Sequence, residues 1–199
     1  MKGSPRVPNR VAIDASIFIA FLLDEPEAQY VEQELFDNPK VNEIHCSHLA
    51  LSETFYILCR KKGLGFATEA METLERTAYV RVHGSSELDY SAGGYKCSRK
   101  LSLADCYVLA LAKLTNSAAI FARRERDLHE EHRKNPIDVE LLFLEELAED
   151  LKPVKAPKDP IFDIALERRK AVQVRLKGED LRRARKASGE VDEAVYDEE

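Results

Sequence analysis

Apolar and polar positions along the first 145 residues follow two rhythms. Short apolar runs at 11–14 (VAID), 43–47 (EIHCS), 78–82 (AYVRV), 117–121 (SAAIF) and 139–143 (VELLF) are bounded by polar or turn residues. They predict five strands. Longer stretches between them carry helical spacing. SIFIAFLLDE (16–25) predicts one helix, and 27–37 predicts a second from its apolar residues Ala28, Val31 and Leu35. Residues 48–62 form a third that ends on Arg60, Lys61 and Lys62, where the helix dipole favours cations. Residues 66–77, 87–100 and 103–115 complete the set, the fifth of these carrying Gly93-Gly94. Strand and helix in alternation predict an α/β domain with a mostly parallel sheet.

Charge divides the chain and sets a boundary. Residues 1–150 hold 18 basic and 25 acidic side chains, residues 151–187 hold 12 and 5, and residues 188–199 hold six acids and no base. The break coincides with KPVKAPKDP (152–160), whose three prolines favour an extended connection. A domain is expected over 1–150. A linker, a basic helical segment and an acidic tail are expected over 151–199, as a C-terminal helical, charged extension. With 44% hydrophobic and 33% charged residues the chain is not disordered throughout. Its four cysteines form no CxxC pair, which suits a reducing, cytoplasmic setting. No apolar run has membrane-spanning length. Asp14 interrupts the one N-terminal stretch that looks like a signal sequence, so an unprocessed N-terminus is expected.

The informative feature is where charge is nearly missing. From Val11 to Leu23 the only charged residue is Asp14. From Ile44 to Cys59, histidines aside, it is Glu53. From Leu101 to Ala112 it is Asp105. A carboxylate taken out of water costs several kcal/mol unless something compensates it, and no Lys or Arg lies within any of these stretches. A hard divalent cation shared by all three is an economical answer, because oxygen ligands suit Mg²⁺ or Mn²⁺. Each acid also has a local use. Asp14 is placed to cap a helix, Ser102 and Asp105 have capping-box spacing, and Glu53 fits a solvated helix position. All three fall at or near strand–helix junctions, which gather at the carboxyl edge of an open α/β sheet.

These residues resemble the motifs of the PIN-domain family, the nucleases that include the VapC toxins. Asp14 in VAIDAS matches the opening hydrophobic-D-x-S/T motif. Glu53 in LALSET matches the S-E at the third helix. Asp105 in LSLADCYVLALA matches the L-x-x-A-D-x-x-x-x-A motif, the most specific of the set. The resemblance covers about residues 9–145. It implies a three-layer α/β/α domain with a parallel five-stranded sheet, and Mg²⁺- or Mn²⁺-dependent RNA cleavage leaving a 5′-phosphate and a 3′-hydroxyl. It also implies an RNA substrate, an antitoxin partner and a homodimer. The fourth motif departs from the family pattern. Glu125 falls on the fourth acid and Asp127 on the acid after it, while Arg123 replaces a Thr and Leu128 a Phe.

On this reading Asp14, Glu53 and Asp105 hold one metal ion, and Glu125 or Asp127 helps a second. Ser16 hydrogen-bonds the Asp14 carboxylate or caps the first helix. Arg123, Arg124 and Arg126 contact RNA phosphates. The competing reading of 123–128 is a solvated charged turn. His45-Cys46-Ser47-His48 cannot converge, because neighbouring strand side chains face opposite sides. His129 and His132 lack partners with zinc spacing. The basic segment after 160 reads either as a solvated tail or as an RNA-binding arm. Two other functions stay open: a catalytically impaired PIN domain serving as an RNA- or protein-binding module, and an rRNA-processing PIN nuclease.

Overall fold

The computed structural model describes residues 7–77 and 80–146. Strands β1 (Arg10–Ile13), β2 (Glu43–Ser47), β3 (Val80–His83), β4 (Ala118–Phe121) and β5 (Leu141–Phe143) form one sheet in the order β3-β2-β1-β4-β5. Every pairing is parallel, and Val11 lies opposite both Ile44 and Ala118. Positions 78 and 79 of the expected third strand lie outside the described residues. So does the expected linker, basic segment and acidic tail of 151–199.

The helices are α1 (Ala15–Leu22), α2 (Ala28–Val31), α3 (His48–Lys62), α4 (Leu64–Thr77), α5 (Ser86–Ser98), α6 (Leu103–Thr115) and α7 (Arg126–Lys134). A π-helical turn, Glu32–Phe36, prolongs α2, so the expected single helix over 27–37 changes its winding midway. Both faces of a parallel sheet need cover, and strand alternation divides the apolar residues between them. Val11 and Ile13 enter one core with Ile17, Phe18, Leu35 and Leu58, under α1–α4. Ala12, Ala119 and Phe121 enter the other with Leu88, Leu109 and Leu128, under α5–α7. Helix α6 lies along this second face and buries every residue from Val108 to Ala112, which explains why that helix is apolar nearly all round.

The charged segment after Ala122 is not merely a turn, since it continues into α7. Leu128, 0% exposed, anchors this nine-residue helix to the core. Asp127 in its first turn and His132, Arg133 and Lys134 in its last complement the dipole. A single buried apolar residue leaves no periodicity to read, so the sequence shows no helix here.

Candidate active site

The site is assembled at the carboxyl edge of the sheet. Asp14 directly follows β1, and its backbone N–H donates to the Ile120 carbonyl of β4 at 3.0 Å. The chain continues from β1 to β2 on one side of the sheet, and β4 lies on the other. Asp14 therefore stands at the topological switch point, where open α/β sheets bind ligands. Its carboxylate caps α1, accepting the Ser16 N–H at 2.7 Å. Helix α6 runs into β4 after only two residues, so its other end, carrying Asp105, reaches the same edge. There the Ser102 hydroxyl accepts the Asp105 N–H at 3.0 Å, and Asp105 Oδ2 accepts the Ser102 N–H at 3.1 Å. The local uses of Asp14 and Asp105 are therefore real. The caps fix the two carboxylates in place and do not compete with a shared role.

Glu53 lies in the second turn of α3, half-buried. That helix starts directly after β2, with the Ser47 hydroxyl accepting the Ala50 N–H at 3.1 Å. Glu125 occupies the N-cap position of α7, but its side chain makes no capping bond, which leaves the carboxylate free to face the other acids.

The electrostatics tie the four together. Burial pushes the Asp14 carboxyl above its ordinary pKa, against the lowering bonds from Ser16. Burial raises Asp105 as well, its Ser102 bonds lower it, the Asp14 charge raises it again, and the more distant Lys96 charge lowers it a little. Glu53 is raised first by desolvation and then by Asp14 and Asp105. Glu125 keeps much of its surface in solvent, yet its carboxyl is pushed up to about 7 by desolvation and by the charges of Asp105, Asp14, Glu53 and Asp127. Among the described residues, no Lys or Arg forms an ion pair with any of the four. Nor are three or more His, Cys, Asp or Glu side chains already drawn together to hold a metal ion.

This crowding has a measurable sign. The raised Glu125 pKa means that the folded chain binds its proton more tightly than the unfolded chain does. Its penalty is therefore present above pH 7 and vanishes as pH falls toward the unfolded value. Without divalent metal, Glu125→Gln is expected to melt higher than the parent at pH 8 and together with it near pH 4.5. Calorimetry across that range checks this, and equal melting temperatures at pH 8 refute it.

Ser16 does more than the sequence reading assigned. Its hydroxyl accepts the Ala122 N–H at 3.1 Å, while its backbone N–H donates to the Asp14 carboxylate. It is not the helix cap, which is Asp14. Ser16 pins the end of β4, and so the segment leading to Glu125, against the acid on β1. Asp127 lies at the rim, its side chain 74% exposed and paired with the still more exposed Arg126. Arg123 donates to Glu27 at 2.7 Å and to Glu25 at 2.8 Å. Arg124 contacts His129 and lies 3.5 Å from Glu146.

Sequence reasoning missed Tyr56, one helical turn after Glu53 on α3, which lines the same groove as Ser16 and Glu125. The i, i+3 spacing of the two on one helix face was the available signal. The Glu25–Arg123 and Glu27–Arg123 pairs join residues nearly a hundred positions apart, and nothing local announces them.

The histidines have separate employment. His45 Nδ1 lies 2.9 Å from His83 Nε2, while Cys46 points into the opposite core with its thiol pushed up to about 12 by burial. His132 accepts the Ile137 N–H at 3.1 Å. No described helix is long and apolar enough to cross a membrane.

No curated protein matches the chain. Among solved structures, the chain is similar to VapBC2 from Rickettsia felis bound to a DNA fragment from its promoter. The TM-score is 0.52 at 13% identity, over 67% of this chain and 98% of that one. PAE2754 from Pyrobaculum aerophilum gives 0.47 at 15% identity, over 74% and 97%. VapC20 from Mycobacterium tuberculosis, a toxin that cleaves the sarcin–ricin loop, gives 0.47 at 20% identity, over 55% and 86%. At such identities the Rickettsia likeness speaks to fold. A sequence model of the PIN domain matches residues 11–130. That span runs from β1 into α7 and contains Asp14, Glu53, Asp105 and Glu125; the chain belongs to the PIN-domain family.

Proposed function

We propose that this chain is a divalent-metal-dependent endoribonuclease and the toxin of a toxin–antitoxin pair. The observation that carries the reading is the set of four mutually repelling carboxylates at the switch point, with no cation paired to any of them among the described residues. The donor set fits a hard cation, since it is all oxygen. Asp14, Glu53 and Asp105 would hold one Mg²⁺ or Mn²⁺, with Glu125 and Asp127 toward a second. When bound, such an ion acidifies water and offsets phosphate charge for in-line hydrolysis of a phosphodiester. Ser16 holds Asp14 in orientation, as residues behind metal ligands do, and the Ser102 bond does the same for Asp105. The Rickettsia assembly, a complex of two proteins, supports an antitoxin partner. RNA as substrate and a homodimer belong to the same proposal.

The test is cleavage of a mixed RNA substrate by the purified chain. Chelation is expected to stop cleavage, and Mn²⁺ or Mg²⁺ to restore it. Glu125→Ala is expected to shift the Mn²⁺ titration to higher concentration, and Asp127→Ala to shift it less, because Asp127 faces solvent. Cleavage that persists in chelator overturns the metal assignment. Superimposable titrations for the parent and Glu125→Ala remove that residue from the ligand set.

A further inference from the structure

An open groove of about 670 Å³ runs beside the carboxylate edge, lined in part by Ser16 and Glu125. Its wall carries Arg60, Lys61, Arg123 and Arg124 against the acids Glu25 and Glu125, a cationic excess on a domain that is acidic as a whole. Three of those cations are engaged: Lys61 lies 3.1 Å from Glu25, Arg123 is held by Glu25 and Glu27, and Arg124 lies 3.5 Å from Glu146. Arg60 is different. Among the described residues no carboxylate pairs with it, and its guanidinium lies over the Tyr56 ring, 5.1 Å from the centroid. Tyr56 stays 43% exposed with that face covered. The ring lines the groove together with Ser16 and Glu125, so an exposed aromatic face stands at the edge where the acids gather. Tyr56 lies one helical turn after Glu53 on α3, so the ring stands beside the acids.

We infer that Tyr56, backed by Arg60, is a stacking platform for one unpaired base of a single-stranded RNA, and that it seats the neighbouring phosphate at the carboxylate edge. This deepens the nuclease reading and rests on it. A base stacks on any aromatic face and needs no particular sequence. A guanidinium behind the ring adds cation–π attraction and draws the phosphate backbone. A paired base cannot offer its face, so the platform selects loops and single strands over duplex.

Binding by the full-length chain carrying Asp105→Asn, which prevents turnover, tests the platform in the presence of Mg²⁺. The probe is a single-stranded RNA oligonucleotide containing 2-aminopurine, whose fluorescence is quenched by stacking. The parent is expected to bind and quench, and Tyr56→Phe to do both equally well. Tyr56→Leu is expected to lose the quenching and about 10- to 100-fold in affinity. Arg60→Gln is expected to bind more weakly and to lower the salt dependence by about one counterion. The same sequence as a duplex is expected to bind with no response to Tyr56→Leu. Binding and quenching unchanged by Tyr56→Leu overturn the platform and leave the nuclease reading standing. A parent that binds no RNA at all overturns both.

Discussion

Asp14→Asn, Glu53→Gln and Asp105→Asn are each expected to reduce RNA cleavage by at least about 100-fold, the scale on which losing one group that stabilises transition-state charge is felt. The same variants are expected to fold as well as the parent, or slightly better, in metal-free buffer. Each replaces a charge that burial disfavours, and that neighbouring acids disfavour too at Glu53 and Asp105, with a neutral group of the same shape. Loss of activity without loss of stability separates a working residue from a structural one. At Asp14 and Asp105 the amide oxygen preserves the acceptor of the cap, so lost capping does not confuse the comparison. A variant that retains full cleavage shows that its carboxylate takes no part. A variant that melts far below the parent without metal shows that the charge is compensated in the fold.

Phe121→Ala is expected to remove about 3–5 kcal/mol of stability, a large share of the roughly 5–15 kcal/mol that a domain possesses. Phe121 closes β4, is 0% exposed, and sits in register with Phe143 of β5, the ring centroids 5.9 Å apart. Deleting the ring opens a cavity between the sheet and its second helical layer. Phe121→Leu keeps most of the volume and is expected to lose about 1.5 kcal/mol or less. Urea unfolding followed by circular dichroism gives both values, with a lower midpoint and an unchanged slope. A midpoint for Phe121→Ala equal to that of the parent would contradict the packing described for this layer.

Much of the site could be read from the chain because its acids are conspicuous against apolar surroundings. Asp14, Glu53 and Asp105 stand out since a helix or strand that packs on both sides tolerates charge only where something requires it. The strands and the boundaries of α3 and α6 were legible for a related reason, since Ser47 and Ser102 are caps whose geometry is local. What stayed hidden depends on distance along the chain or on thin apolar signals. Helix α7 rests on Leu128 alone. Ser16 reads from the sequence as a partner of Asp14 or a helix cap, and its bond to Ala122, which joins positions 106 apart, has no local signature. Arg123 looked free for RNA, and its partners Glu25 and Glu27 come from the far side of the sheet sequence. The winding change after Val31 has no residue signature that we can identify.

The strand order has a consequence for how the protein comes into being. The central strand, β1, is the first to be synthesised, but one of its two neighbours, β4, spans Ala118–Phe121. Until that stretch has emerged from the ribosome, one edge of β1 is bare and Asp14 has neither the Ile120 carbonyl nor the Ala122–Ser16 pin to hold it. At roughly 5–20 residues per second, on the order of 5–20 s separate the appearance of Asp14 from that of Glu125. Parallel pairing of distant segments is slow besides. A nascent or prematurely terminated chain therefore carries its acids unassembled. A cell that makes this chain meets the assembled site only after translation of the domain is complete.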